Sequence, residues 1–190
     1  MNYYLLFQPS FYQLTMAIEY FFKCLVIGPG AVGKSSLIRR FVENKFSASY
    51  RFTIGVDIFS KTVEFEEGKF SRLSLWEVGG QDRFKVLRRS FYEGSQGALL
   101  VFDLSRANTF PKLKEWFIDL RKIIEDKIPT LVLGNKSDLL PEVGDVINRE
   151  EPKQFARQEE SVYLETSAKT GENVEKAFIE LTRLMIKHFS

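Results

Sequence analysis

The sequence predicts an α/β domain in which a doubly wound, mostly parallel, six-stranded sheet is flanked by about five helices. Short apolar runs alternate with stretches of helical periodicity along the chain, which is the pattern of a sheet covered by helices. A glycine-rich turn joins the first apolar run to the first helix, the position at which such sheets bind ligands. With 190 residues, of which 44% are hydrophobic, the chain is long enough for one complete core.

The first half of the chain predicts three strands and two helices. In order, they are a strand at 20–27, a helix at 34–44 that buries Leu37, Ile38, Phe41 and Val42, a loop at 45–52, strands at 56–65 and 70–78 joined by a turn at 66–69, and a helix at 83–92. On the third strand Trp76 shares a face with Arg72 and Ser74, so it is either half-buried in the fold or offered to a partner. Four charges open the second helix, at Arg83, Lys85, Arg88 and Arg89, and such a cluster predicts a solvated face that also suits an acidic partner.

The second half alternates in the same way. It predicts buried strands at 98–102 and 130–133, a helix whose core stripe is Leu113, Trp116, Phe117, Leu120, Ile123 and Ile124, a helix at 152–160, a short strand at 162–164, and a last helix striped by Val174, Ala177, Phe178, Leu181, Leu184 and Met185. No repeat or low-complexity tract interrupts this order. Sheets of this kind bind ligands at the carboxyl ends of their strands, so we expect the motifs to gather at one edge.

Residues 28–35 read Gly-Pro-Gly-Ala-Val-Gly-Lys-Ser between the first strand and the first helix. This is the sequence pattern of the phosphate-binding loop of P-loop NTPases, in which glycines let backbone N–H groups turn inward around a polyphosphate. Lys34 is expected to reach the outer phosphates and assist catalysis, and the Ser35 hydroxyl to bind Mg²⁺. The other expected phosphate contacts come from Gly30, Ala31, Val32, Gly33 and Ser36. The alternative is a glycine-rich turn with a chance Lys-Ser pair.

Asn135-Lys136-Ser137-Asp138 directly follows a buried strand. A carboxylate there accepts hydrogen bonds from both N1–H and the exocyclic amine of guanine, whereas adenine leaves it unpaired. Asn135 is expected to tie this stretch to the phosphate loop, and the Lys136 stem to lie over the base. Ser167, Ala168 and Lys169, after the last strand, are expected to present N–H groups to the base carbonyl. The alternatives are a surface turn and a helix N-terminus.

Composition argues against several other classes. A net charge of +2 gives no argument for nucleic acid as a partner. One cysteine, Cys24, excludes an internal disulfide framework and fits a reducing, cytoplasmic location. One histidine, His188, close to the end of the chain, argues against histidine-based metal sites and triads. No apolar stretch is long enough to span a bilayer.

Together these stretches resemble a Ras-superfamily small GTPase, over residues 20–188. Thr53-Ile54-Gly55-Val56-Asp57 is similar to the first switch of Rab proteins. The resemblance implies that Thr53 completes the Mg²⁺ shell when the γ-phosphate is present, that Tyr50 covers the phosphates, and that Phe46 lies against the guanine. The implied activity is GTP hydrolysis to GDP in a molecular switch, with effector, exchange-factor and GTPase-activating proteins as partners, and vesicle traffic as the setting of Rab relatives.

The second switch departs from the Rab pattern, because residues 76–82 read Trp-Glu-Val-Gly-Gly-Gln-Asp and resemble the Arf form. The resemblance implies that Gly80 donates its N–H to the γ-phosphate and that Gln81 orients the attacking water. Glu77 replaces an aspartate that holds Mg²⁺ through water, so we expect weaker Mg²⁺ binding. Two alternatives stay open: a nucleotide-binding scaffold with little hydrolysis, favoured by Glu77, and an ATP-using enzyme, disfavoured by Asp138.

Residues 17–190 are expected to form the G domain. Residues 1–16 are uncharged and aromatic, and they read as an apolar tail packed on the domain, as a start that truly lies at Met16, or as a membrane-dipping arm. The chain has no C-terminal cysteine for prenylation, and Asn2 stands where N-myristoylation requires glycine. Three alternatives stay open: the sequence is truncated, the protein reaches membranes by another route, or it is soluble. The expected location is the cytoplasm, with a membrane surface as the open alternative.

Overall fold

The fold is built on one six-stranded sheet. The computed structural model describes residues 18–47, 53–80, 88–144 and 146–190. The strands are β1 (Ile18–Ile27), β2 (Val56–Glu66), β3 (Lys69–Val78), β4 (Gly97–Asp103), β5 (Thr130–Asn135) and β6 (Val162–Thr166). The helices are α1 (Lys34–Glu43), α2 (Arg88–Tyr92), α3 (Thr109–Ile123), α4 (Leu140–Val143), α5 (Glu150–Gln158) and α6 (Val174–Phe189).

The strands lie in the order β2-β3-β1-β4-β5-β6, and every neighbouring pair is parallel except β2 with β3. That antiparallel pair is the predicted hairpin, which turns at Gly68 with φ of 73°. The predicted α/β class with a mostly parallel sheet is confirmed. The five parallel strands deliver their carboxyl ends to one edge, on both sides of β1, and this edge is where a doubly wound sheet binds ligands.

Helices cover both faces of the sheet. Side chains of α1 and α6 pack on one face, with Leu37, Phe41, Phe178, Leu181 and Met185 among them. Side chains of α2, α3 and α5 pack on the other, with Tyr92, Phe110, Leu113, Leu120 and Ala156 among them. All residues of β4 and β5 are buried, as their continuous apolar runs predict for central parallel strands.

Cys24 lies within the first of these two cores, on β1. Its exposed fraction is 0%. Burial raises the pKa of its thiol above the ordinary range, because the thiolate has no water or positive charge to stabilise it.

Arg88 corrects one prediction. The sequence places it in a solvated cluster, yet its side chain is 4% exposed and forms an ion pair with Asp119 on α3, with 2.6 Å between Nη1 and Oδ2. Its guanidinium stacks on Trp116, 3.5 Å from the ring centre. Arg89, in contrast, is exposed as predicted. The cluster is therefore split, because one of its members fastens α2 to α3.

Smaller differences concern boundaries and burial. Val42, predicted as core, is only half-buried, as are Leu184, Ile123 and Ile124. Six α-helices lie in the described ranges rather than about five, since the short α4 was not predicted. Trp76 is half-buried, with Lys23 Nζ 3.9 Å from its ring centre.

The predictions for Tyr50, Gln81, Arg83, Lys85 and residues 1–16 lie outside the described residues. Of the helices described, none has both the length and the apolar character needed to cross a bilayer.

Candidate functional site

A cleft of about 680 Å³ opens at the carboxyl edge of the sheet. It is lined by residues of the phosphate loop, of both predicted switches and of the predicted base-binding stretches. The lining residues are Gly30, Ala31, Gly33, Lys34, Ser35, Ser36, Arg39, Lys45, Phe46, Ser47, Thr53, Asp57, Glu77, Gly80, Asn135, Lys136, Asp138, Leu139, Ala168 and Lys169. Its volume is that of a small-molecule site.

The phosphate loop turns sharply into α1 at Gly33, whose φ is 96°. A Cβ at this position would lie 2.3 Å from Asn135 Nδ2, so only glycine fits both the backbone conformation and the space. The same Asn135 Nδ2 donates to the Val32 carbonyl over 2.8 Å. The expected contact between Asn135 and the phosphate loop is therefore present. The side chain of Val32 is buried and is not part of the cleft lining.

Lys34 is buried beneath the loop. Its ammonium donates to the carbonyls of Gly28 and Pro29 over 2.8 and 2.9 Å. Burial lowers the pKa of Lys34 to about 8; the Glu77 carboxylate opposes this shift and the nearby Arg88 adds to it. The side chain is thus a desolvated cation at the floor of a polar cleft, where an anionic ligand gains most from it.

Three predicted metal-binding side chains meet beside Lys34. Glu77 Oε1 accepts from Ser35 Oγ over 2.6 Å and from Thr53 Oγ1 over 3.0 Å, and the two hydroxyl oxygens are 3.4 Å apart. Glu77 is 2% exposed, and within the described ranges its second oxygen, Oε2, has no hydrogen-bond partner. Burial raises the pKa of this carboxyl, while the bonds from Ser35 and Thr53 and the charge of Lys34 lower it.

The two switch segments touch the loop and each other through backbone. Gly79 N–H donates to the Gly55 carbonyl over 2.8 Å. A Cβ on Gly79 would lie 2.7 Å from the Thr53 carbonyl oxygen, and one on Gly80 would lie 2.5 Å from Gly30 N. The double glycine is therefore a consequence of close packing, because any side chain here separates the segments.

The two predicted base-binding stretches contact each other. Asp138 Oδ1 accepts from Ser167 Oγ over 2.6 Å, and Lys169 Nζ is 3.9 Å from Oδ2. Asn135 Oδ1 accepts from the Ala168 N–H over 3.3 Å. Ser167 is not part of the cleft lining. It lies behind Asp138, and its hydroxyl orients the carboxylate. Lys136 adopts a left-handed φ of 68°, and its ammonium pairs with Asp103, 2.7 Å from Oδ2.

Sequence reasoning missed some residues that shape the cleft. Arg40 on α1 donates to the carbonyls of Ala168 and Lys169 over 2.9 and 2.7 Å, which fixes the loop after β6. Asp103, the last residue of β4, pairs with Lys136, and Arg106, just after β4, donates to carbonyls of the phosphate loop. A usable signal was present for Asp103, since a carboxylate ends an otherwise apolar strand at the ligand edge. Further lining residues were not predicted: Arg39, Lys45, Ser47, Asp57 and Leu139.

A comparison with protein families matches residues 23–187 to the Ras family. The chain is 42% identical over 168 residues to the Ras-related protein Rab-4B of Homo sapiens, covering 88% of this chain and 78% of the relative. It is 40% identical over 168 residues to human Ras-related protein Rab-4A, covering 88% and 76%. A Danio rerio Rab-4A is 39% identical over the same length.

The chain belongs to the Ras family. It is a Rab-like small GTPase, a switch that binds guanine nucleotide and hydrolyses GTP, and the predicted activity is confirmed at this level. The scaffold without hydrolysis is not favoured. Members of the Ras family bind GTP and GDP, require Mg²⁺ and act through regulators and effectors. The Arf-like interpretation of residues 76–82 stays a prediction.

Proposed function

We propose that the cleft holds the nucleotide with its phosphates in the loop at residues 28–35 and its base against Asn135 and Asp138. One observation carries this placement: Lys34 and Asp138, which are far apart in sequence, line the same cleft. Cationic side chains in the lining outnumber the carboxylates of Asp57, Glu77 and Asp138, and this excess suits a polyphosphate; the cations are Lys34, Arg39, Lys45, Lys136 and Lys169. Residues 17–190 act as the G domain in this proposal.

Asp138 selects guanine. Its carboxylate keeps acceptor capacity beyond the bond from Ser167, because each oxygen accepts more than one hydrogen bond. It accepts hydrogen bonds from the N1–H and the exocyclic amine of guanine. Adenine has no donors in this arrangement and would leave the carboxylate unpaired. Phe46 borders the base, Lys136 lies over it, and the backbone near Ala168 and Lys169 meets its carbonyl.

Ser35, Thr53 and Glu77 form an all-oxygen donor set that fits Mg²⁺. Two hydroxyls and a buried carboxylate with an unpaired oxygen meet within 3.4 Å, and Glu77 acts through water in this assignment. When bound, the ion neutralises phosphate charge. Thr53 comes from the first switch, so its hydroxyl links that segment to the state of the nucleotide.

Hydrolysis follows by in-line attack of water on the γ-phosphate. The charge that develops on the phosphate oxygens is stabilised by Lys34, Ser36 and the N–H groups from Gly30 to Ser35. Gly80 contributes its N–H, and Gln81 orients the water. Tyr50 covers the phosphates. Arg106 is held by Asp103, and we assign no arginine of this chain to the γ-phosphate. We therefore propose slow intrinsic turnover that an activating protein accelerates.

Partner proteins are expected to bind at the two switch segments. Ile58, 55% exposed, and the half-buried Trp76 and Phe91 offer them an apolar contact between the two switch segments. Exchange factors, activating proteins and effectors are the expected classes. We place the protein in the cytoplasm and at a membrane surface in vesicle traffic, in line with its similarity to Rab proteins. Cell fractionation of the protein held in its GDP-bound or its GTP-bound state tests this location.

The experiment joins binding to hydrolysis. Nucleotide that co-purifies with the protein is identified by chromatography, and excess GDP or ATP then competes against a fluorescent GDP analogue on wild type and Asp138→Asn. We expect guanine nucleotide in the purified protein, competition by GDP alone, and about 100-fold weaker GDP binding by the variant. Single-turnover phosphate release falls in Gln81→Leu. Competition by ATP, or unchanged release, contradicts the assignment.

A further inference from the structure

The outer side of the phosphate loop is held by Arg106, which follows β4. Its Nη2 donates to the Ala31 carbonyl over 2.9 Å and to the Gly30 carbonyl over 3.3 Å. Its Nε donates to Asp103 Oδ2 over 2.8 Å. One guanidinium thus bridges the end of β4 and two successive peptides of the loop, which its planar array of donors allows.

Asp103 fixes the direction of that guanidinium. Its side chain is 0% exposed, and its other oxygen accepts from the N–H and the hydroxyl of Ser105 over 2.9 and 2.6 Å. Lys136 pairs with Oδ2 over 2.7 Å. Burial alone would raise the pKa of Asp103, but the bonds from Lys136 and Ser105 outweigh it and hold that pKa below its usual value. The carboxylate is therefore a charged anchor shared by Arg106 and the base-binding stretch.

Holding the carbonyls outward turns the N–H groups inward. In a trans peptide the C=O and the following N–H point in opposite directions. The Gly30 carbonyl shares its peptide with the Ala31 N–H, and the Ala31 carbonyl shares its peptide with the Val32 N–H. Asn135 does the same one peptide later, on the Val32 carbonyl. Three successive peptides are thus held through their carbonyl groups, two by Arg106 and one by Asn135.

Ala31 shows why such support is needed. Its φ is 61°, a left-handed conformation that a residue with a Cβ adopts only when its surroundings impose it. Arg106 grips the peptides on both sides of this residue. The conformation is therefore maintained from β4 rather than by the loop itself.

We propose that Arg106 is a positioning residue for nucleotide binding, which aims the N–H groups of Ala31 and Val32 at the phosphates beyond the first. The inference rests on the proposed placement of phosphates in this loop. Through Asp103, which also holds Lys136, the phosphate loop and the base-binding stretch share one buried charge. Loss of Arg106 then weakens the hold on phosphate while the base contacts stay in place.

The experiment compares GDP with GMP, which lacks the second phosphate. Dissociation constants of both are measured by competition against a fluorescent GDP analogue, for wild type, Arg106→Ala and Arg106→Lys. Arg89→Ala is the matched control, since Arg89 forms an exposed pair with Glu93 away from the cleft. We expect Arg106→Ala to lower the ratio of the GMP constant to the GDP constant about 10-fold, because two charged hydrogen bonds are lost. Arg106→Lys, which keeps charge but not the planar fork, lowers it about 3-fold, and Arg89→Ala leaves it unchanged.

An unchanged ratio in Arg106→Ala overturns the inference, and so does equal weakening of GMP and GDP, since general damage affects both ligands alike. If Arg106→Ala does not fold, Arg106→Lys decides by the same ratio. A wild-type protein that binds neither nucleotide refutes the proposed function instead. The two failures are therefore distinguishable.

Discussion

At the scale of the residue, Glu77 carries the sharpest chemical consequence. One of its oxygens serves both the Ser35 and the Thr53 hydroxyl, at 2.6 and 3.0 Å. An aspartate at this position is shorter by one methylene, about 1.5 Å of reach. Because Mg²⁺ demands near-ideal octahedral geometry and keeps several waters, the longer arm competes for the space of a water.

We expect Glu77→Asp to bind Mg²⁺ more tightly. Bound Mg²⁺ slows GDP release, and we expect the Mg²⁺ concentration that gives half of this effect to fall about 3- to 10-fold. Release of a fluorescent GDP analogue is followed across a Mg²⁺ titration. Glu67→Asp, in the exposed hairpin turn, is the matched control. Superimposable release curves for Glu77→Asp and wild type remove this explanation.

Gly80 gives a second prediction at this scale. An added Cβ would lie 2.5 Å from Gly30 N and 2.6 Å from the Pro29 carbonyl carbon, and both are backbone atoms that cannot rotate away. We expect Gly80→Ala to lower single-turnover GTP hydrolysis by about 100-fold, because the second switch is displaced from the loop. GDP affinity stays within about 3-fold, since the loop itself persists.

The control for this substitution is Gly68→Ala, in the β2–β3 turn, where an added Cβ meets nothing within 4 Å. It introduces backbone strain without touching the loop. Hydrolysis at the wild-type rate by Gly80→Ala would show that the contact with Gly30 has no part in the switch.

At the scale of the element, α2 is fastened to α3 by a buried charge. The side chain of Arg88 is 4% exposed and that of Asp119 is 17% exposed, and the guanidinium stacks on Trp116. Arg88 directly follows residues 81–87, which contain the predicted catalytic Gln81. The ion pair thus fixes the start of α2 against α3, a few residues after the predicted second switch at 76–82.

Removing Arg88 takes away both the ion pair with Asp119 and the packing of a buried guanidinium on Trp116. We expect Arg88→Ala to lower the free energy of unfolding by about 3 kcal/mol, and Arg88→Met with Asp119→Leu together to recover most of it. Arg89→Ala, one residue further along α2, removes an exposed pair and costs less than about 1 kcal/mol.

Urea unfolding followed by tryptophan fluorescence measures all three variants. Equal and small losses for Arg88→Ala and Arg89→Ala would mean that the buried pair does not hold the helix. A double variant as unstable as Arg88→Ala would show that the charges contribute more than packing does.

The Arg88–Asp119 pair is an example of a contact that could not be predicted from the sequence, whereas other features could. Strands such as β4 and β5 were predictable because burial on both faces leaves a continuous apolar run. That Lys34 and Asp138 line one cleft was predictable, because both follow strands whose carboxyl ends meet at one edge of the sheet. Their roles toward a nucleotide stay predictions. Arg88 was misjudged, since the local pattern of four charges says nothing about Asp119 or Trp116 on another helix. Arg106 was missed for the same reason, because its partners lie on the phosphate loop.

At the scale of the whole molecule, one sheet edge collects residues from nearly the entire chain. The cleft takes its lining from Gly30 near one end of the sequence to Lys169 near the other. A ligand held there bridges β1, β3, β5 and the loop after β6. Binding is therefore coupled to the stability of the complete fold rather than to one segment.

We expect GDP with Mg²⁺, at about 1,000 times its dissociation constant, to add about 4 kcal/mol to the free energy of unfolding. For a domain of this size the midpoint of thermal unfolding then rises by about 8–16 °C. A thermal melt with GDP, with ATP at the same concentration, and with neither measures this. An equal rise with ATP would contradict the role of Asp138 in choosing the base.

Cys24 has a practical consequence for following the switch. The chain has one cysteine, and it is sealed inside the core with a thiol that resists ionisation. The native thiol of the folded protein therefore does not react with maleimide dyes or spin labels. A cysteine introduced at exposed Ile54 becomes a unique attachment point, so a reporter can record the motion of the first switch through a full cycle without first removing the native thiol.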